Sequence, residues 1–419
     1  MIKKVSSGQR IGEINIPASK SDAQRAILVA ALVPNKSLIY NYGKSDDVKA
    51  MLSCIGVLGA EKAVKNEFIE IQGATQLPRS GRFQCGESGL TFRLIAALST
   101  VLEGSFELHG DGSLLKRDHR FIEDFGGTQN LAIHSVNGHL PYQINGGITS
   151  DKYKVNAEGT SQFLSGLLIG LSTQNKEITI HAENLTSKPY LLMTLNTISK
   201  YGISIAFDGI SKFVLPKYRC YQSTNYVVEG DWSAASYWIV ARLLGHELRI
   251  YGLNENSYQA DKKILELLKE LNVDYDLDKG LFEFSEDVFF GFDFDATDCP
   301  DLFPALTTLA VYVRGVSRIR GVHRLLNKES NRSNALVSEF KKLGANICVD
   351  GDDLLIVGGG LKGDVVVDSH GDHRIAMCLA ITALNLDSSL TIEGADAVTK
   401  SYPDFWGDLK KLKRKKNGA

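Results

Sequence analysis

Basic side chains stand near the starts of several predicted helices, each preceded by small polar residues or glycine. In SKSDAQR, Lys20 opens the helix, and Ser21 and Arg25 lie four residues apart on one face. In GESG, Gly89 allows a close approach of the backbone to a ligand, and Arg93 follows one turn later. Helix N-termini attract anions through their free N–H groups and their dipole. These segments therefore predict local anion sites, although each one alone is equally typical of a structural helix cap.

Three further clusters combine charged groups outside these helix starts. LNKESNR carries Lys328 and Arg332 at i, i+4 spacing, with Glu329 between them. GDGSLLKR ends in Arg117, and VTKSYPDF places Lys400 just before a turn. Arginine binds carboxylate or phosphate in a bidentate manner, whereas lysine supplies a point charge. The clusters indicate binding of small anions, while LNKESNR taken alone is also typical of an exposed ion-pair face.

The segment His370–His373, which reads HGDH, resembles a metal site only superficially. It lacks the H-E-x-x-H spacing, and no third candidate ligand stands nearby. We interpret it as another helix opening, with Arg374 directed forward from it. The sequence therefore predicts no metal site.

One pattern recurs six times: a short β-type run, small polar residues or glycine, and then an apolar helical run. The copies begin at Pro17, Cys85, Glu158, Glu229, Asp298 and Ser369, and their starts are 68 to 73 residues apart. A fixed period indicates an architecture built from one repeated unit. We interpret the unit as β-α-β-α-β-β, with a first helix that is apolar nearly all round and hence buried. Six units predict three per lobe, with a seam near residue 228; a generic α/β protein with similar helices is the alternative.

Length and composition limit the classes of protein. A chain of 419 residues exceeds the usual size of one hydrophobic core, and a net charge of −2 gives no overall attraction to nucleic acid or anionic membranes. The six cysteines include no C-x-x-C pair, so neither a zinc ribbon nor a disulfide framework is indicated. The start lacks the apolar segment of a signal peptide, and no apolar run approaches membrane-spanning length. We expect a cytoplasmic protein whose basic tail, KLKRKKNGA, is a solvated terminus rather than a nucleic-acid arm.

Eight motifs in order resemble the 5-enolpyruvylshikimate-3-phosphate synthase family of enolpyruvyl transferases. They read PASKSDAQRA, GDGSLLKR, TSQ, SKPY, GDWSAASY, KES-NR, GDHRIAM and TKSYPDF. The resemblance runs from about residue 12 to residue 409. It implies a two-lobed, inverse α/β barrel-like fold of six βαβαββ repeats, three per lobe, with the substrate cleft between the lobes. It also implies that residues 14–228 form lobe one, and that residues 1–13 plus 229–419 form lobe two.

The resemblance further implies an activity. The enolpyruvyl (carboxyvinyl) group of phosphoenolpyruvate passes to the 5-hydroxyl of shikimate 3-phosphate, and phosphate is released, in the shikimate pathway of aromatic amino acid biosynthesis. No cofactor is needed, because the reaction involves no redox change and no electron sink. We expect a monomer that binds these two small molecules, and neither nucleic acid nor membrane.

The resemblance also assigns site residues by matching motif positions. Those implied for shikimate 3-phosphate are Lys20, Ser21, Arg25, Thr160, Ser161, Gln162, Ser187, Tyr190, Asp301 and Lys328. Those implied for phosphoenolpyruvate are Lys20, Gly89, Arg117, Gln162, Arg332, Arg374 and Lys400. The expected catalytic residues are Asp301, as the base for the 5-hydroxyl, and Glu329, as the group that transfers the methylene proton. Lys20 is expected to stabilise phosphate and developing charge.

Four positions depart from the usual family pattern: Glu87, Leu90, Asp118 and Asn331. Glu87 adds negative charge near two anionic substrates, which is costly unless a neighbour such as Arg93 pairs with it. One rival is a UDP-N-acetylglucosamine enolpyruvyl transferase, but such enzymes carry a reactive cysteine in the loop corresponding to GDGSLLKR, and this chain has none there. The other rivals are a non-catalytic binding paralogue and an RNA-binding or RNA-cyclising relative; the net charge argues against the latter.

Overall fold

A computed structural model describes residues 1–158, 161–284 and 289–415. The strands of this part of the chain are β1 (Lys3–Val5), β2 (Arg10–Asn15), β3 (Lys36–Tyr40), β4 (Glu61–Val64), β5 (Phe68–Gln72), β6 (Ser80–Gln84), β7 (Gly104–His109), β8 (Ile133–Val136), β9 (His139–Gly146), β10 (Lys152–Asn156), β11 (Ile178–Glu183), β12 (Ala206–Phe207), β13 (Lys212–Leu215), β14 (Asn225–Val227), β15 (Glu247–Tyr251), β16 (Asp274–Asp276), β17 (Leu281–Glu283), β18 (Asp293–Asp295), β19 (Val316–Arg320), β20 (Asn346–Asp350), β21 (Asp353–Val357), β22 (Val365–Asp368), β23 (Leu390–Glu393) and β24 (Lys413–Arg414).

The α-helices of the same ranges are α1 (Lys20–Ala31), α2 (Asp46–Val57), α3 (Gly89–Val101), α4 (Phe121–Thr128), α5 (Gln162–Leu171), α6 (Lys188–Lys200), α7 (Trp232–Leu243), α8 (Ile264–Glu270), α9 (Phe303–Ala310), α10 (Arg332–Lys342), α11 (His373–Ala383) and α12 (Phe405–Lys411). Short 3-10 helices cover Gly112–Lys116, Ala260–Lys263, Pro300–Leu302, Val322–Leu325 and Ala395–Lys400. Several predicted site residues stand at or next to the first residue of one of these helices.

The chain forms two compact units. The N-terminal unit is Ala18–Glu229, and the C-terminal unit is Met1–Pro17 with Gly230–Ala419. The first seventeen residues thus belong with the second half of the chain. Within the C-terminal unit, β2 lies between β15, to which it is parallel, and β24, to which it is antiparallel.

Four small sheets share one strand order. They are β14-β3-β5-β4, β6-β7-β9-β8 and β10-β11-β13-β12 in the N-terminal unit, and β18-β19-β21-β20 in the C-terminal unit. In each, the first two strands of the order are parallel and the remaining neighbours are antiparallel. The C-terminal unit adds the sheets β1-β23-β22, β15-β2-β24 and β16-β17. The protein is therefore a mixed α/β protein with many small sheets.

Buried helices form the centre of each unit. In the N-terminal unit, α3 packs against α5; in the C-terminal unit, α7, α9 and α11 pack against one another. Every residue of α3, α9 and α11 is buried. A helix that is apolar nearly all round is stable only when neighbours cover all its faces. The predicted burial of these helices is confirmed, and it turns their N-terminal ends into rigid supports for polar side chains.

Side-chain caps define where these helices begin. Ser19, Ser88 and Asp231 each accept a hydrogen bond from a backbone N–H in the first turn of the following helix. Asp372 does the same for α11, which confirms the interpretation of the HGDH segment as a helix opening. All six cysteines are free thiols. In the described ranges, no helix has the length and apolarity needed to cross a membrane.

Candidate active site

Lys20, the first residue of α1, is held by an acidic residue of the neighbouring helix α2. Its Nζ lies 2.9 Å from Asp47 Oδ2, and the two side chains are only 12% and 5% exposed. The pair is strong because little water screens it. Asp47 was not predicted from the sequence; the only signal was its place in the first turn of α2, two residues after the cap Ser45.

Arg25, one turn further along α1, is completely buried. Its Nε donates to Thr194 Oγ1 at 2.7 Å. Its two terminal nitrogens donate to the backbone carbonyls of Ser21, at 2.8 Å, and Tyr190, at 3.3 Å. Burial lowers the Arg25 pKa to about 10, although the negative charge of Asp22 acts in the opposite direction. The guanidinium is thus held by neutral oxygens and keeps its positive charge for an anion.

The predicted phosphate-binding residues around α5 and α6 are partly brought together. Ser161 Oγ donates to the carbonyl of Ser187 at 3.4 Å. Ser187 has a left-handed backbone, with φ of 57°, just before α6, a conformation that costs a non-glycine residue energy. Gln162, the first residue of α5, accepts a hydrogen bond from Arg93 Nη1 at 2.7 Å. Thr160 lies outside the described residues.

Gly89, the first residue of α3, faces two arginines. A Cβ built on it would stand 2.8 Å from Nη1 of Arg117 and 3.3 Å from Nη1 of Arg93. Arg117 in turn donates to Ser113 Oγ at 3.3 Å. Glu87 accepts hydrogen bonds from the backbone N–H and the hydroxyl of Ser113, at 3.2 and 3.0 Å. The segment with Glu87 and Gly89 and the segment with Ser113 and Arg117 therefore form one polar cluster.

In the C-terminal unit, Arg332 begins α10 and lies among three carboxylates. Its Nη1 is 2.7 Å from Asp301, its Nη2 is 2.7 Å from Glu329, and its Nε is 2.9 Å from Asp372. The Arg332 side chain is 0% exposed. Burial by itself lowers the Arg332 pKa, but the three carboxylates outweigh it and raise the pKa. Arg332 is therefore charged at every accessible pH, and it holds both predicted catalytic carboxylates in place.

Asp301 forms ion pairs with three cations. Besides Arg332, it accepts a hydrogen bond from Arg374 at 2.9 Å and forms an ion pair with Lys328 at 3.5 Å. Burial acts to raise the Asp301 pKa, but Arg374, Lys328 and Arg332 outweigh it and hold the pKa well below its usual value. The side chain remains 19% exposed. The arrangement supplies an ionised carboxylate that solvent or a ligand can reach.

Arg374 and Lys400 are positioned by α11. The cap Asp372 accepts a hydrogen bond from the backbone N–H of Arg374 at 2.9 Å. Burial acts to lower the Arg374 pKa, but the surrounding negative charges, chiefly Asp301, raise it. Lys400 ends the 3-10 helix Ala395–Lys400, which packs against α11, and it is only 7% exposed. Both predicted cations are therefore fixed by the same buried helix.

A further acidic residue near this cluster, Asp261, was missed by the sequence analysis. Ser233 donates a hydrogen bond to its Oδ2, whereas its buried Oδ1 has no hydrogen-bond partner within the described residues. Burial, followed by repulsion from Asp301, raises the Asp261 pKa to about 7. Its segment, QAD, belongs to a 3-10 helix and carries no recognised pattern, so only the folded chain reveals it.

Solved structures with a similar fold include an EPSP synthase and an enolpyruvyl transferase. EPSP synthase from Acinetobacter baumannii matches with a TM-score of 0.80 and 22% identity, covering 99% of this chain and 100% of that one. The enolpyruvyl transferase NikO from Streptomyces tendae matches with a TM-score of 0.77 and 16% identity, covering 99% of this chain and 97% of that one. At such identities the likeness shows the fold alone.

Sequence similarity identifies the family, which the likeness of fold does not. The family model described as EPSP synthase (3-phosphoshikimate 1-carboxyvinyltransferase) matches residues 5–409. A 3-phosphoshikimate 1-carboxyvinyltransferase of Clostridium acetobutylicum is 37% identical over 410 residues, which is 96% of this chain and 95% of that protein. One of Clostridium botulinum (strain Alaska E43 / Type E3) is 34% identical over 420 residues, 98% of this chain and 96% of that protein. This protein therefore belongs to the EPSP synthase family.

Proposed function

We propose that this protein transfers the carboxyvinyl group of phosphoenolpyruvate to shikimate 3-phosphate, with release of phosphate, in the shikimate pathway. The observation that carries the proposal is the network in which Arg332 holds Asp301 and Glu329, at 2.7 Å each. The reaction protonates C3 of phosphoenolpyruvate and adds the 5-hydroxyl at C2. It then expels phosphate while a proton leaves C3. It needs two proton-transfer groups among cations that bind phosphate and carboxylate, and this network supplies both.

Shikimate 3-phosphate binds to the polar residues of the N-terminal unit. Arg25 supports this assignment because its buried charge is held only by neutral oxygens, so that a phosphate dianion is a favourable neighbour. Ser161 and Ser187 are linked by a hydrogen bond and offer hydroxyls to the same group. Ser21, Gln162, Tyr190, Thr160 and, from the C-terminal unit, Lys328 and Asp301 complete the proposed set.

Phosphoenolpyruvate binds to arginines and lysines that come from both units. In the N-terminal unit these are Lys20 and Arg117, with Gln162 beside them and Gly89 leaving room near the Arg117 guanidinium. In the C-terminal unit the set consists of Arg332, Arg374 and Lys400. Arginine suits this role because its planar fork matches both the carboxylate and the phosphate of the substrate.

Asp301 acts as the base for the 5-hydroxyl and Glu329 transfers the methylene proton, while Lys20 stabilises phosphate and developing charge. A carboxylate with a very low pKa is a weak base. The Asp301 pKa is low because Arg374, Lys328 and Arg332 surround it. Anionic substrates that neutralise these cations raise the pKa of Asp301 and make it a better proton acceptor. Substrate binding thus prepares the base.

The sixfold sequence repeat also predicts the architecture of the whole protein. We propose an inverse α/β barrel-like fold of six βαβαββ units, three per lobe. The lobe bounds expected from the sequence, 14–228 and 1–13 plus 229–419, shift to 18–229 and 1–17 plus 230–419, because β2 pairs with β15 as far as Asn15. The shared strand order of four sheets supports the repeated unit. We also propose that the protein acts as a monomer in the cytoplasm, which sedimentation and cell fractionation can test.

Release of inorganic phosphate tests the activity. Phosphate should appear only when both phosphoenolpyruvate and shikimate 3-phosphate are present, without added metal or nucleotide. UDP-N-acetylglucosamine in place of shikimate 3-phosphate should give none, and turnover with it would identify the rival transferase. The variant Glu329→Gln serves as the inactive control, because it keeps the shape of the site and removes the proton-transfer group. Binding of both substrates without turnover would identify the non-catalytic paralogue.

A further inference from the structure

A cavity in the C-terminal unit carries a concentration of positive charge that the proposed reaction does not use. Its volume is about 410 Å³, within the range of small-molecule sites. Its cationic lining consists of Lys3, Lys4, Arg10, Lys410 and Arg414. None of these residues belongs to the proposed catalytic or substrate-binding set, and no Asp or Glu of the described residues lines the cavity.

None of these cations has an acidic partner among the described residues. Neighbouring lysines are paired: Lys411 with Asp408 and Lys415 with Glu247. The five cavity cations, in contrast, form no ion pair with any residue of the ranges 1–158, 161–284 and 289–415. Their charges therefore add up in the cavity instead of cancelling, and the cavity attracts anions.

Arg10 is the buried member of the group, at 7% exposure. Its Nη2 donates to the carbonyl of Ser6 at 2.7 Å, whereas its Nη1 is buried without a hydrogen-bond partner in the described structure. Burial, followed by repulsion from Arg414, lowers the Arg10 pKa. His246 accepts a hydrogen bond from the backbone N–H of Arg10 at 3.0 Å, but the imidazole of His246 is neutral and therefore supplies no counter-charge. A buried cation without a counter-charge is costly, and an anion in the cavity would relieve that cost.

The rest of the lining is apolar and partly aromatic. Val5, Leu409 and Leu412 are buried side chains of the cavity wall, and Trp406 adds an indole ring. The ring is fixed in place because its Nε1 donates to the carbonyl of Ala395 at 2.8 Å. Lys3 Nζ lies 5.9 Å from the centre of the same ring. The cavity therefore combines anion-binding groups with a surface on which a planar apolar group can pack.

We propose that this cavity is a second ligand site, which binds a small organic phosphate: a phosphomonoester whose ester group is planar and apolar. The phosphate lies among Arg10, Lys410 and Arg414, and the planar group packs against Trp406, Leu409 and Leu412. The proposal does not depend on the catalytic reaction, because it rests on a separate set of residues within the C-terminal unit.

Calorimetric titration with phenyl phosphate tests this site, and tryptophan fluorescence locates it. Trp232 and Trp238 are 0% exposed, so a ligand in the cavity should change chiefly the emission of Trp406. We expect saturable binding that weakens as salt is added, and a fluorescence change that Trp406→Phe removes. The double variant Lys410→Gln/Arg414→Gln should raise the dissociation constant by about tenfold or more, equivalent to 1.4 kcal/mol.

A charge-matched control separates the cavity from general electrostatics. Lys49 and Lys413 are exposed and do not line the cavity, so Lys49→Gln/Lys413→Gln should leave the affinity unchanged. Equal losses in both double variants would overturn the proposal, and so would unchanged affinity in both. Arg25→Gln should weaken shikimate 3-phosphate binding but not this site; loss of phenyl phosphate binding in Arg25→Gln would place the probe in the catalytic site instead.

Two further probes define the ligand. Inorganic phosphate should bind more weakly than phenyl phosphate, and equal affinity would show that the apolar wall is not used. Vesicles of phosphatidylglycerol and phosphatidylcholine should not sediment the protein. Sedimentation that requires Lys410 and Arg414, without any phenyl phosphate binding, would make the cavity a membrane contact and overturn the small-ligand proposal.

Discussion

Two arginines, one in each unit, are equally buried but held in opposite ways. Arg25 donates to a hydroxyl and two backbone carbonyls, whereas Arg332 donates to three carboxylates. Burial lowers the pKa of Arg25 to about 10, whereas for Arg332 the carboxylates reverse that effect and raise the pKa. The same type of side chain, arginine, thus has a different role in each unit. Arg25 hydrogen-bonds only neutral oxygens of the described residues and so remains available to an incoming anion, while Arg332 holds acidic groups in place.

The largest expected effect is on stability. Arg332→Gln leaves Asp301, Glu329 and Asp372 without their shared counter-ion, and breaking such a buried pair costs about 3–5 kcal/mol. Arg25→Gln removes hydrogen bonds to neutral groups only and should cost about 1–2 kcal/mol. Urea unfolding of both variants at pH 7 measures the difference. Equal losses of unfolding free energy would mean that the kind of partner does not matter here.

The next effect concerns turnover. Asp301→Asn and Glu329→Gln should each lower kcat by about 10²-fold or more, because a positioned proton-transfer group is lost from a nearly unchanged shape. KM for either substrate should change much less. Glu103→Gln is a suitable control, because Glu103 is an exposed carboxylate paired with Arg79. Near-normal kcat in either site variant would remove that residue from the proposed mechanism.

A third prediction uses Asp261, a buried carboxyl that accepts a hydrogen bond from the Ser233 hydroxyl. Its pKa of about 7 in the folded protein exceeds the usual 3.8, so between these values the folded state holds a proton that the unfolded state has lost. This contribution to stability is complete below pH 4 and is lost as the pH rises through 7. Asp261→Asn removes the dependence, and at pH 8 the variant should unfold at a higher urea concentration than the wild type. Parallel stability curves from pH 5 to 8 would show that Asp261 does not titrate in this range.

The smallest effect is expected at Gly89. An alanine methyl group there would stand 2.8 Å from Arg117 Nη1, closer than a Cβ can normally lie, so the flexible Arg117 side chain has to shift. Gly89→Ala should therefore raise KM for phosphoenolpyruvate several-fold and leave KM for shikimate 3-phosphate nearly unchanged. A thermal melt recorded alongside separates this from simple destabilisation. An equal rise in both KM values would assign Gly89 to the fold rather than to the site.

Helix starts were predictable from the sequence because their signals are local. Lys20, Gly89 and Gln162 are the first residues of α1, α3 and α5, at positions where small polar residues precede an apolar run. The repeat spacing was equally predictable, since it is a property of the linear sequence. Arg332 was recognised by its spacing from Lys328, and it is the first residue of α10.

The partners of these cations were not predictable in the same way. Asp47 lies 27 residues from Lys20, and Asp372 lies 40 residues from Arg332, so only packing of separate helices brings each pair together. Asp372 stood in a motif that was correctly interpreted as a helix opening. Its ion pair with Arg332, however, cannot be predicted from the local sequence. The same is true of Arg25, whose hydroxyl partner Thr194 lies 169 residues away. The pKa of a buried cation depends on its partners. Those partners are determined by the tertiary structure, not by the local sequence.

The position of β2 has a consequence for the order in which the chain folds during synthesis. Both neighbours of β2, namely β15 and β24, begin only at residues 247 and 413. At translation rates of about 5–20 residues per second, the strand waits on the order of ten to fifty seconds for even the first of them. The whole of Ala18–Glu229 is synthesised in that interval, and in the folded protein its ends are joined by the hydrogen bond from Ser19 N to the Glu229 carbonyl, at 2.8 Å. The inserted unit can thus fold first and bring Pro17 close to Asp231, so that the late pairing of β2 closes a short loop rather than one of more than two hundred residues.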